Sequence, residues 1–424
     1  MAQALVTAKL MADVAMEFNI GADLLSKSNR SIDKYLGAEK KSGDTVYVPI
    51  MDSGEVFDNL DLTSPQAAGK LAPDRDEVPV TVSPLVTAAQ VSQEDLTLAI
   101  QNPEVMSKRV AKLADLANTR AYQTLVGGSQ AFIAGEISND VFRRTAFDAE
   151  ANTVSSKLGG DTFGVTHPFT WNRLVTTLQA NYAPNDKVGG DLFRNELGDF
   201  MGFKWSKSSL QPTITAAATE VPSAVTSITS GSSNFVGTAP TTVGGVAPAS
   251  LANGTYFSQP FTLSGVYNVD ALGNKTNDLK TFYLKLVKSS AGSVWSFAVP
   301  PVFAYGQGRL NCWIDGYTNN IAEATGIDTN VHPTAMLTAG HQYMTPAVIY
   351  KQNDFLVAVK GLEKFYGCDS FTIPTVYREK GILPLRGTAW TDPVKAATLF
   401  RIDVLLGMNV YTGLSVSSIY LPLN

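Results

Sequence analysis

QEDLTLAIQNPEVMSKRVAKLADLANTRAYQTLV, residues 93–126, is the stretch on which the reading of the fold turns. Asn102 is a good N-cap, and Pro103 suits the first helical position, where a missing N–H loses no bond. Gly127 and Gly128 supply a natural stop. The spacing between these signals predicts a helix of about 24 residues, ~36 Å long and well beyond the usual three turns. Met106, Val110, Leu113, Ala117 and Leu125 form an apolar stripe, while Glu104, Lys108, Lys112 and Asp115 follow the opposite face. Such a helix lies along a sheet or domain with one face in solvent. Its bases, Lys108, Arg109, Lys112 and Arg120, make a candidate basic face. Beside Glu104 and Asp115 that pattern fits a solvated helix better than a DNA-facing one.

Upstream, residues 44–50 (DTVYVPI) and 77–91 (EVPVTVSPLVTAAQV) alternate as strands do. Between them, residues 51–80 hold seven acids against two bases, Lys70 and Arg75. The acids are Asp52, Glu55, Asp58, Asp61, Asp74, Asp76 and Glu77, with Gly54, Pro65, Gly69 and Pro73 as breakers. A long acidic hairpin of this kind gains little inside an isolated globule and marks a segment with work to do elsewhere. Still further upstream, Leu5, Met11, Val14, Ala15, Phe18 and Leu24 recur at roughly helical spacing, with Gly21 as a break. They read as an amphipathic arm of two short helices or as a helix packed on its own core.

Downstream, helix and strand signals alternate through residues 141–210: a helix over 145–158, a strand at DTFGVTHP (161–168), a helix at TWNRLVTTLQANY (170–182), a strand at MGFKWSKS (201–208). The composition then shifts, because residues 212–269 carry one charged side chain, Glu220, among Ser, Thr, Ala, Gly and Val. TFYLKLVKSSAGSVWSFAVP (281–300) predicts a hairpin, with Phe282, Leu284 and Leu286 on one strand and Trp295, Phe297 and Val299 on the other. Residues 310–350 lack Lys and Arg, and mixed runs resume from Ala347. Residues 212–345 thus read as an inserted β domain, in a chain whose 424 residues are a natural length for two or three domains.

Composition narrows the function classes. Charged residues make up 17% of the chain, below the usual ~25%, so much of the surface is uncharged, which hints at extensive contacts with other chains. A net charge of −5 argues against a dedicated nucleic-acid binder. Cys312 and Cys368 are too few for a disulfide framework or a C-x-x-C zinc site, which suits a reducing cytoplasm. The first residues interrupt their apolar run with Lys9, Asp13 and Glu17, unlike a signal peptide, and no run of about 18 apolar residues predicts a membrane span. His167, His332 and His341 are not spaced as metal ligands. No nucleophile elbow, phosphate loop, dinucleotide fingerprint or zinc-protease string occurs. No catalytic, cofactor-binding or metal-binding set is therefore expected, and the chain is not expected to be an enzyme.

Several stretches resemble one family in chain order: SGDTVYVPI (42–50), residues 93–126, GVTHPFTWNRLVTTL (164–178), GHQYMTPAVIYKQNDFLVAVKGLEKF (340–365) and FRIDVLLGMNVY (400–411). They are similar to the Hong Kong 97-type major capsid proteins of tailed bacteriophages, in the podophage subgroup that carries an inserted β-barrel, the I-domain. The resemblance implies an α+β Hong Kong 97-type fold. In its terms, residues 1–42 are an N-terminal arm and 43–92 the E-loop hairpin with its flanking strands. Residues 93–140 hold the spine helix and P-domain, and 141–211 the first part of the A-domain. Residues 212–345 are the inserted domain, and 346–424 close the A- and P-domains.

The same resemblance implies self-assembly into the hexamers and pentamers of an icosahedral shell, with the E-loop over a neighbouring P-domain. It also implies a scaffolding protein during assembly, a portal protein, packaged double-stranded DNA contacted weakly, no cofactor and no membrane. The place of action is the virion, after synthesis in the host cytoplasm. Gly127 with Gly128, Gly159 with Gly160, and Gly189 with Gly190 are candidate hinges or simple caps and turns. The rival readings are a tail-tube or decoration protein, a bacterial surface β-protein, and a hydrolase whose site leaves no motif.

Overall fold

The computed structural model of the chain describes residues 18, 23–30, 44–51, 75–92, 104–129, 131–134, 160–172, 199–200, 203–207, 213–269, 274–304, 310–316, 327–360, 369–372, 385–392, 397–411 and 415–423. Strands predominate among them around one long helix, so the described residues are sheet-rich where an α+β balance was expected. The helix expected over 145–158, and most of that over 170–182, lie outside the described residues.

A short helix, α1 (Asp23–Ser26), is followed by strands β1 (Thr45–Met51) and β2 (Arg75–Ser92). Helix α2 (Glu104–Gly128) comes next, then β3 (Ala131–Ala134), β4 (Thr162–Thr166), β5 (Asp199–Phe200) and β6 (Phe203–Lys207). The apolar stripe of α2 is buried as its spacing requires, through Val110, Leu113, Ala117 and Leu125, with Ala114, Ala121 and Tyr122 widening it. Three alanines on that face let neighbouring strands approach closely.

The chain then passes through β7 (Thr213–Thr215), β8 (Ala224–Ile228), β9 (Val236–Thr238), β10 (Gly254–Phe257), β11 (Phe261–Val269) and β12 (Lys275–Phe282). It continues through β13 (Leu284–Ser289), β14 (Gly292–Phe297), β15 (Trp313–Ile314), β16 (Ile327–Val331), β17 (Pro333–Ala335) and β18 (Gln342–Met344). Entry and exit strands pair antiparallel, Thr213 opposite Met344 and Thr215 opposite Gln342, so the chain enters and leaves this insertion through a two-strand neck. It has its own core, in which Phe282 packs on Phe261 at 5.9 Å and on Phe297 at 5.6 Å between ring centroids. Each such fully buried side chain contributes roughly 1.5–3 kcal/mol.

The hairpin read at 281–300 forms from β13 and β14, and Gly292 takes a φ of 135° that a side chain would strain. Its first strand is shorter than the alternation suggests. The chain leaves one sheet at Phe282 and joins another at Leu284, so both side chains are buried in the same core.

From the neck the chain returns in β19 (Ala347–Lys351), β20 (Phe355–Lys360), β21 (Asp369–Thr372), β22 (Arg386–Asp392), β23 (Ala397–Val410) and β24 (Val416–Tyr420). β23 is the axis of the first framework sheet: β2 pairs along one edge, while β22 and β20 share the other. The second sheet runs β3-β24-β19-β4-β6-β5, with β24/β3 and β4/β6 parallel. Helix α2 joins both sheets in one core. Leu85, Val404 and Leu406 of the first sheet and Phe163, Val348 and Val416 of the second belong to it.

The arm segment closes that core from outside. Phe18, Leu24 and Leu25 are buried in it, Asn118 Oδ1 of α2 accepts the Leu24 N–H at 3.3 Å, and Asn29 bridges β20 at Leu356. Of the two readings of the arm, residues 18 and 23–30 follow the packed one. No helix among the described residues is long and apolar enough to cross a membrane.

Candidate assembly surface

β1 and β2 form a two-strand ribbon, from Thr45 opposite Thr81 to Met51 opposite Arg75. Its alternation puts Val46, Val48, Val78 and Val80 into a small core with Leu356, Ala358 and Leu405, and leaves Tyr47 61% exposed. The base of the ribbon is thereby fixed to β20 and β23. Beyond Met51 and Arg75 lies the acidic segment, so Asp52, Glu55, Asp58, Asp61 and Asp74, with Lys70, fall outside the described residues. Asp76 stands opposite Ile50 and Glu77 opposite Pro49 in the ribbon itself.

On α2, Lys108, Arg109 and Lys112 are exposed, together with Asp115 and Leu116. Arg120 departs from this group. It follows Arg109 by about three turns and is half-buried where the helix meets the insertion. Burial lowers its pKa, partly offset by Tyr256. The basic face in solvent is therefore Lys108, Arg109 and Lys112.

The junction of α2, the framework and the insertion carries no sequence motif. Gly127 and Gly128 lie in the last turn of α2. A Cβ on Gly127 would overlap the Phe257 ring of β10, and one on Gly128 would overlap Val410 of β23. Close approach, more than a stop or a hinge, requires glycine there. Gly160 sits in a turn at φ 97°, whereas Gly159, Gly189 and Gly190 lie outside the described residues.

Nearby, the Tyr283 hydroxyl of the insertion meets Ser418 Oγ at 3.1 Å and Tyr420 Oη at 3.2 Å, and Ser418 meets Ser129 Oγ at 2.9 Å. Burial raises the pKa of Tyr283 and of Tyr420, which keeps both phenols neutral as hydrogen-bonding groups. Tyr122 donates to Pro346 O at 2.9 Å beside the neck. A cavity of about 300 Å³ opens at the same junction between Arg120 and Gln123 of α2, Thr81 and Ser83 of β2, and Thr255 and Lys285 of the insertion.

The remaining candidates stand apart. His167 Nδ1 accepts the Phe169 N–H at 3.0 Å, and burial lowers its pKa. His332 and His341 are exposed. Cys312 is buried in the insertion core, where burial pushes its thiol up to about 11, while Cys368 is outside the described residues. Among the described residues, no group of histidine, cysteine and carboxylate side chains is arranged to hold a metal.

No protein-family model matches the chain, and no curated protein matches its sequence. Among solved structures, it is similar to a chain of the capsid of the cyanophage P-SCSP1u, with a TM-score of 0.39 and 10% identity over 90% of this chain and 84% of that one. It is similar to a chain of the capsid of Ralstonia phage GP4, with a TM-score of 0.40 and 8% identity over 94% and 87% of the two chains. A chain of Mycobacterium phage Che8 is similar with a TM-score of 0.41 and 9% identity over 93% and 89%.

Proposed function

We propose that the chain is the major capsid protein of a tailed bacteriophage, a non-enzymatic subunit that assembles with copies of itself into an icosahedral shell. The observation that carries this reading is the separation of two complementary surfaces on one chain. A ribbon with a packed base leads into an acidic segment, and Lys108, Arg109 and Lys112 stand exposed on a long helix. A closed shell needs heterologous contacts, in which one surface of a subunit meets a different surface of the next. Many weak ion pairs, each worth about 0–1 kcal/mol, suit such a contact because misplaced subunits can leave. The order of segments that resembles the Hong Kong 97-type proteins supports the same reading.

In this reading the acids Asp52, Glu55, Asp58 and Asp61 lie over the basic face of a neighbour's helix. Scaffolding and portal proteins are the partners in assembly, and the enclosed DNA is contained without strong phosphate contacts, as the negative net charge favours. The test is to express the chain alone and with a candidate scaffolding protein, then follow it by size-exclusion chromatography and negative-stain electron microscopy. Capsomer rings or shells are expected. Lys108→Glu with Lys112→Glu should abolish them, and Asp58→Lys with Asp61→Lys, mixed in, should restore them. Monomers under every condition would overturn the reading.

A further inference from the structure

Among the described residues, the junction cavity collects cations without collecting acids. Arg120 reaches it from the helix and Lys285 from the insertion, and no described residue that lines it is acidic. Among the described residues, neither side chain has an ion pair or side-chain hydrogen-bond partner. Gln123 and Thr255 add uncharged donors to the same walls. Burial lowers the pKa of Arg120 and of Lys285, so each cation stands in partly dry surroundings. Partly desolvated cations are stabilised by a charged acceptor, and a guanidinium with an ammonium matches the spread charge of an oxyanion. A volume of about 300 Å³ leaves room for such a group and a few waters.

We propose that this cavity is an oxyanion site, in which a phosphate- or carboxylate-type group sits between Arg120 and Lys285 and ties the insertion to the long helix. The bound anion supplies a countercharge that no described lining residue provides. The proposal concerns the single subunit and stands apart from the assembly reading.

The experiment is thermal unfolding and titration calorimetry on the full chain with inorganic phosphate and, separately, with acetate, each against sodium chloride at matched ionic strength. At ten times its Kd, the preferred anion is expected to raise the melting temperature by about 2–4 °C. Arg120→Gln and Lys285→Gln should each weaken binding roughly tenfold or more, and Lys285→Arg should keep the response. Without anion, both glutamine variants should melt at or above the parent temperature, because a cation lacking a partner has been removed. A response to phosphate identifies a free phosphate-type ligand; a response to acetate alone identifies a carboxylate, as a peptide side chain would supply. No response beyond chloride, or one that survives in the double glutamine variant, overturns the proposal.

Discussion

The framework and the insertion bury their cores from different distances along the chain. In the framework, Leu85 faces Val404 across β2 and β23, and Phe18 shares a core with Val416. In the insertion, Leu284 faces Phe297 and Phe261 faces Phe282, pairs joined by short stretches of chain. Contacts distant in sequence carry more loop-closure entropy and form later than local ones. The framework core therefore waits for β23, while the insertion can form from neighbouring hairpins and close at its neck. The two also treat charge differently. Asp403 is 1% exposed and held by Arg386 at 2.8 Å and Arg401 at 2.6 Å, whereas buried Lys280 of the insertion, among the described residues, bonds to the uncharged Asn311, at 2.8 Å through the carbonyl oxygen.

The largest effect is expected from breaking the framework's ion cluster. Asp403→Ala leaves Arg386 buried without its carboxylate, a loss of about 3–5 kcal/mol. Two-step thermal unfolding should show the framework transition falling while the insertion transition holds; if both fall together, the comparison of two separate cores fails.

Lys280 sharpens the comparison from the other side. Its pKa is lowered to about 8 by burial, so the folded chain binds this proton less tightly than the unfolded chain does. Insertion stability should rise with pH from about 8, with Lys280 contributing about 1 kcal/mol up to pH 9, as the unfolded lysine keeps a proton the folded one has lost. Cys312 offsets part of this rise from about pH 8 upward, because its thiol is held protonated to about 11 in the fold and ionises earlier in the unfolded chain. Lys280→Met should remove the rise and stabilise the insertion at pH 7 by on the order of 3 kcal/mol. Calorimetry at closely spaced pH values gives the slope, and a flat parent profile between pH 8 and 9 would contradict the assignment.

Two smaller effects probe the junction that joins the regions. Gly127→Ala forces the Phe257 ring aside and should cost about 1–3 kcal/mol, with hydrogen exchange rising at β10 and the end of α2. Adding Phe257→Ala should recover part of the docking. Tyr283→Phe removes the shared bonds to Ser418 and Tyr420, and a loss of about 1 kcal/mol is expected in denaturant titration.

Much of the framework was legible before any coordinates. The stripe Val110, Leu113, Ala117, Leu125 marks α2 because a helix must bury one face, and DTVYVPI marks β1 because a half-buried strand must alternate. Gly292 marks the hairpin turn. Arg120 misled the reading of the basic face, since a helical pattern says which residues share a side but not what arrives to cover it. Gly127 and Gly128 do end α2 as their position predicted, but the close approach of Phe257 and Val410 that also requires glycine there leaves no trace in sequence. Lys280 carries no sequence signal of its own, and only the packing of β12 against Asn311 and Cys312 buries it.

The sequence by itself determined where the long helix and many of the strands lie, which faces of them are apolar, and where acid and base concentrate. These are local properties, written in periods of 3.6 and 2 residues and in composition. Only the tertiary structure decided that β23 takes β2 on one edge and shares the other between β22 and β20, and that the insertion leaves through a paired neck. It alone brought Arg120 and Lys285 to one cavity, because pairing between distant strands depends on the complementarity of whole faces, which no short stretch of sequence contains.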